Sequence, residues 1–150
     1  MRQPRITALV LMGITLFLVG CTPAEEQPPT PTLMNRETFI AALQEKGATI
    51  QPLEELEESF LSVKSQRFAL TGQDIWIFEY ESVSARAADQ ERIDATGSMI
   101  NTSDGVVVID YIAPPHFFGK DMFIVQYVGT DEAVLDLLTS VLEEEFAGMN

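Results

Sequence analysis

The single cysteine of this 150-residue chain excludes an internal disulfide framework. A formal charge of −14 repels nucleic acid and anionic headgroups, so nucleic-acid partners are excluded too. The charge is unevenly spread: residues 1–20 hold two of the nine Lys+Arg and none of the 23 Asp+Glu, which leaves −16 on the remainder.

The N-terminus is built like a secretory signal. Arg2 and Arg5 precede an uncharged, mostly apolar run over residues 6–20. That run is shorter than the ~20 apolar residues a spanning helix needs. It ends in Leu18-Val19-Gly20-Cys21, which reads as a bacterial lipobox. A peptidase cuts between Gly20 and Cys21, and the Cys21 sulfur carries a diacylglyceryl group as a thioether. Two or three acyl chains make a stable anchor where one is marginal. Residues 1–20 are therefore expected to be a lipoprotein signal peptide, with the protein held by lipid on the cell membrane or outer membrane, facing away from the cytoplasm. Thr22, in place of an aspartate after the cysteine, leans toward the outer membrane in a cell that has two.

Residues 21–33 comprise the lipidated cysteine and a tether in which Pro23, Pro28, Pro29 and Pro31 favour extended polyproline geometry. Residues 34–150 have the length of one domain with a single core. Asn35 opens a first helix, with Phe39, Ile40 and Leu43 on one face and Gly47 as its stop. Residues 48–51 read as a short strand ended by Pro52, followed by a solvated acidic connection at Glu54, Glu55, Glu57 and Glu58. Residues 60–70 and 74–81 read as a hairpin turning at Thr71-Gly72-Gln73. Its second arm is apolar on both faces, as a covered central strand should be. There Trp76, Phe78 and Tyr80 alternate onto one face, as core or as an aromatic binding platform.

A second helix over residues 83–93 is capped by Ser82 or Ser84. After a turn at Ser103-Asp104-Gly105, residues 106–113 read as a strand that is apolar except at Asp110, stopped by Pro114-Pro115. Residues 122–128 return as a strand that is apolar except at Gln126. The segment between them, residues 114–121, is expected to be a loop. A last helix, capped by Thr130 or Asp131, carries Val134, Leu137, Leu138, Val141 and Leu142 at helical spacing and ends at Gly148. The order α-β-β-β-α-β-β-α predicts an α+β fold, an antiparallel sheet of about four to five strands with two or three helices packed on it.

No catalytic set is assembled in the sequence. There is no nucleophile elbow, phosphate-binding loop or dinucleotide fingerprint. One histidine and no free thiol are too few for a zinc site, so no metal or cofactor is expected. The segment Pro114-Pro115-His116-Phe117-Phe118 is the candidate interaction loop. His116, with Asp121 or another carboxylate, is a candidate general base. Phe117 and Phe118 either fold onto the core or form a contact surface.

The runs Ala113-Pro114-Pro115-His116-Phe117-Phe118 and Ile124-Val125-Gln126-Tyr127-Val128-Gly129, with Ile77-Phe78-Glu79-Tyr80 and Phe146-Ala147-Gly148, resemble a group of small bacterial lipoproteins without a characterised activity. The resemblance implies a recurring extracytoplasmic domain and supplies no catalytic residue. The expected function is a lipid-anchored binding or interaction module of the cell envelope, its partner another envelope protein or a small ligand. The alternatives are a small enzyme, such as a hydrolase, using His116, and an assembly helper or inhibitor of a secreted protein.

Overall fold

Helix α1 (Arg36–Glu45) begins where two side chains satisfy the free backbone groups of its first turn. Asn35 Oδ1 accepts from Thr38 N at 2.9 Å, and Thr38 Oγ1 accepts from Asn35 N at 2.8 Å, a reciprocal capping box. Phe39 and Leu43 are its buried residues, and Gly47, at φ +85°, turns the chain away. The computed structural model describes residues 33–56 and 59–149, which belong to one unit. The expected signal peptide, its cleavage site at Gly20, the lipidation site Cys21 and residues 22–32 of the tether lie outside the described residues.

Three strands follow in a meander: β1 (Ile50–Leu56), β2 (Ser65–Leu70) and β3 (Gln73–Glu79). Thr71 (φ 47°) and Gly72 (φ 88°) form the two-residue β2–β3 turn, whose left-handed backbone matches the twist of the flanking strands. β1 runs on through Pro52, where the sequence predicts a stop. It is the edge of the sheet, and an edge strand has one side with no ladder for a proline to break. Glu54 and Glu55 therefore belong to a strand edge, where charge discourages pairing with another chain.

Ser82 Oγ accepts from Ala85 N at 3.1 Å and caps α2 (Val83–Gln90). This helix ends before Ile93, which instead bridges to Ile100. β4 (Met99–Thr102) and β5 (Gly105–Val108) form a separate hairpin. The strand expected over residues 106–113 thus stops at Val108, and residues 109–114 connect the hairpin to the main sheet. β6 (Pro115–Lys120), β7 (Phe123–Val128), α3 (Glu132–Leu142) and β8 (Ala147–Gly148) complete the chain. Asp131 caps α3 by accepting from Ala133 N and Val134 N. The helix stops at Leu142, six residues short of Gly148, with Glu143 at φ 76°. Glu143, Glu144 and Glu145 are the physical reason: three acids in a row oppose the negative end of the helix dipole. The tail lies along β6 instead, with Phe146 N donating to Phe117 O at 2.9 Å and Met149 N to Pro115 O at 3.3 Å.

The fold is α+β: the described residues form three helices, a six-stranded antiparallel sheet in the order β1-β2-β3-β7-β6-β8, and a two-stranded sheet. Strand alternation divides its apolar residues between two cores. Ile75, Ile77, Phe118, Val125 and Tyr127 pack with α1 and α3 on one side. Phe78, Tyr80, Phe117 and Ile124 pack on the other with Leu61, Ile93, Ile100 and Ala147. Among the described residues no helix is long and apolar enough to cross a membrane.

The second side is held by a buried carboxylate. Asp89 Oδ2 accepts from Ser62 N and Ser62 Oγ, both at 2.7 Å, and from Tyr80 Oη at 3.1 Å, while Oδ1 accepts from Arg92 at 2.5 Å. Arg92 also donates to Phe60 O at 3.2 Å and Asn101 O at 2.6 Å. This network ties residues 59–64, α2 and β4 to the end of β3. Burial alone would push the Asp89 carboxyl up, but the bonds from Ser62, Arg92 and Tyr80 outweigh it and hold it below the usual carboxylate range. In the unfolded chain that carboxyl titrates near pH ~3.9. The resulting stability is complete above that value and is lost as pH falls through the lower folded-state value. Asp89→Ala is expected to cost about 3 kcal/mol and to flatten the loss of stability in acid, as measured by urea unfolding from about pH 7 down to pH 3.

Candidate functional sites

The segment expected as an interaction loop is an internal strand. Pro114 sits just before β6, its carbonyl accepting from Gly129 N at 3.0 Å. Pro115, His116, Phe117 and Phe118 are all buried within β6, paired to Val128, Tyr127, Gln126 and Val125 of β7. Phe117 and Phe118 enter the two opposite cores. The prolines mislead because they lie just before and at the start of the strand, where a missing donor costs least.

His116 is 4% exposed. Its Nδ1 lies 2.6 Å from Glu145 Oε2, and its Nε2 donates to Gly129 O at 3.1 Å. The ring stacks on Tyr127 at 6.0 Å between centroids. Asp121 is not its partner, since Asp121 Oδ2 accepts from Met34 N at 2.6 Å; Lys120 pairs with Glu143. A cleft of about 440 Å³ borders His116, Phe118 and Glu145, with Leu135, Thr139 and Glu144 completing it. The histidine thus stands beside a carboxylate at a cleft, yet both ring nitrogens are engaged within the protein. Neither is open to a bound substrate while these contacts hold.

A larger groove, about 570 Å³, lies on the opposite side of the sheet, in the size range of small-ligand sites. Trp76 pairs directly with Gln126 across β3 and β7, so both project to the same side. With Phe78 and Val128 they form the floor. Leu56, Ser59 and Phe60 line one part of the rim, and Asp110, Tyr111 and Ile112 another. Gln126 is 4% exposed, and its Nε2 donates to the Tyr111 hydroxyl at 2.8 Å. Burial pushes that hydroxyl up to about 12, against the smaller lowering effect of the Gln126 bond. Ile112 is completely exposed. Trp76 is half-buried, whereas Phe78 and Tyr80 are core, so the aromatic row divides between packing and groove.

Asp110, Tyr111, Ile112 and Gln126 are groove residues that the sequence reading did not assign. A signal existed for two of them: Asp110 and Gln126 are the polar exceptions in runs otherwise apolar. Among the described residues no group of three or more His, Cys, Asp or Glu is placed to hold a metal ion. No family model matches the chain, and no curated protein or solved structure is significantly similar to it.

The engaged nitrogens give His116 a structural duty between β6, Gly129 and the C-terminal tail. His116→Ala is expected to lower unfolding stability by about 2–4 kcal/mol through the lost bonds and the space left behind. Glu145→Gln, which keeps a hydrogen-bonding group, is expected to cost about 1 kcal/mol. Denaturant unfolding of the two variants measures both.

Proposed function

We propose that the chain is a lipid-anchored, extracytoplasmic binding module of the bacterial cell envelope, with the groove over Trp76 as its binding face. The anchor rests on Leu18-Val19-Gly20-Cys21 and the charge pattern before it. Thr22 favours the outer membrane where there are two. The observation that carries the binding role is the groove: an aromatic floor with a buried amide, rimmed by an isoleucine left wholly in water. An apolar concave surface with a few convergent polar groups is the usual form of a binding site. β5 adds three exposed valines, Val106, Val107 and Val108. The partner is another envelope protein or a small ligand.

One observation favours a second reading, a small hydrolytic enzyme. His116, Glu145 and the Thr139 hydroxyl border one cleft. For that chemistry the Gly129 or Glu145 contact to the ring must open when substrate enters, since a general base needs a free nitrogen.

Labelled palmitate is expected to enter the wild-type protein and not Cys21→Ser. Crosslinking in intact envelopes is then expected to trap a stoichiometric partner that Ile112→Glu loses and Glu145→Gln keeps. Loss in Glu145→Gln with retention in Ile112→Glu would move the site to the His116 cleft, and label on Cys21→Ser would remove the anchor.

A further inference from the structure

We infer that the Trp76 groove takes a basic side chain, an ammonium or guanidinium on an apolar stem, presented by an extended segment of a partner protein. This rests on the groove being the binding face and adds what it recognises.

The inference comes from the groups the groove leaves open. Among the described residues the charged ones lining it are Asp74 and Asp110, and none is a lysine or arginine. Asp74 is neutralised by Arg67 at 3.3 Å, and Arg67 also pairs with Glu54 at 2.7 Å. Asp110 is exposed and makes no ion pair or hydrogen bond with another described residue. It is therefore the one charged lining residue among those described that faces no cation, and Asp74, sharing Arg67 with Glu54, adds to the negative potential. On the floor, Gln126 Nε2 donates one of its two hydrogens to Tyr111, and its Oε1 has no partner among the described residues. That oxygen is not among the fully buried unpartnered atoms of the described residues, so it is reachable from the groove. The carboxylate and the amide oxygen accept, while the Tyr111 hydroxyl and the second Gln126 N–H can still donate, so it is the carboxylate that favours a cation over an anion.

The aromatic residues fit the same ligand. Trp76 and Tyr111 line the groove together with Phe60 and Phe78, whose rings lie 5.7 Å apart between centroids. A cation is attracted to the face of such rings, tryptophan most strongly, and its methylene stem packs against them. Ile112 extends the apolar rim for the residues flanking the basic one. The charge of the whole chain, −14, works in the same direction by raising the local concentration of a basic partner. A volume of about 570 Å³ exceeds one ammonium group and accommodates a long side chain with its neighbours, which favours a peptide over a free amine.

Trp76 is the one tryptophan of the chain, so its fluorescence reads the groove directly. The mature lipoprotein in detergent is titrated with a capped pentapeptide holding lysine between two leucines, with the same peptide carrying norleucine for lysine, and with butylamine. The lysine peptide is expected to bind at least about tenfold more tightly than either of the others. Added salt is expected to weaken it selectively. Asp110→Asn, a change at an exposed position, is expected to weaken the lysine peptide about fivefold and leave the norleucine peptide unchanged. Equal binding of the two peptides, or no binding of either, overturns the cation inference. Butylamine binding as tightly as the lysine peptide overturns the peptide part. These failures are separable from failure of the binding-face reading, which falls only if Ile112→Glu still captures the envelope partner.

Discussion

The pairing of β3 with β7 joins the two halves of this protein. Five consecutive register pairs, from Ile75 with Tyr127 to Glu79 with Phe123, connect an N-terminal meander to a C-terminal hairpin. Because successive strand residues face opposite sides, the same pairing decides which residues enter which core. It sends Ile75, Ile77, Val125 and Tyr127 toward α1 and α3, and Trp76, Phe78, Ile124 and Gln126 the other way. A slip of one residue would exchange the two sets and drive the Gln126 amide beneath the helices, where nothing is placed to meet it.

The two sides are covered by different means, and the functional reading follows from that difference. Helices α1 and α3 bring the apolar stripe of Phe39, Leu43, Val134, Leu138 and Leu142, and burial of that stripe closes their side. The other side is covered by short pieces: residues 59–64, the eight-residue α2, and the β4–β5 hairpin. Their positions depend on the Asp89–Arg92 network as well as on apolar packing. The cover leaves the sheet open around Trp76, where residues 110–112 and residue 60 stand over the floor. The groove is thus a gap in a layered fold, lined by side chains that a complete cover would have buried.

Much of the fold was legible because local chemistry agreed with the tertiary structure. The cap at Asn35, one of the two caps offered for α2 (Ser82) and for α3 (Asp131), a turn within Thr71-Gly72-Gln73, and the two-sided apolar runs of β3 and β7 all lie where the sequence puts them. β6 was hidden by Pro114, Pro115 and Gly119, residues that usually mark loops. In this fold Pro115 starts the strand, and Gly119 lies where a Cβ would stand 2.9 Å from Gln90 of α2. β8 was hidden by the apolar periodicity of α3, although the three glutamates that end the helix were visible. The partnership of His116 with Glu145 spans 29 residues and depends on the tail returning along β6, which no spacing rule supplies. The groove was half legible: the aromatic row on β3 was plain, but which of its members remain accessible depends on how far residues 59–64 and 109–114 reach across the sheet.

The choice between the Trp76 groove and the His116 segment turns on whether β6 is a buried internal strand. Amide hydrogen exchange of the folded domain, followed residue by residue, measures this directly. A strand between β7 and the C-terminal tail predicts that the amides of residues 116–118 exchange as slowly as those of β7, near the global unfolding limit, while those of residues 110–112 exchange quickly. Fast exchange across residues 116–118 would contradict it, restoring that segment as an exposed loop and a rival to the Trp76 groove as the binding face.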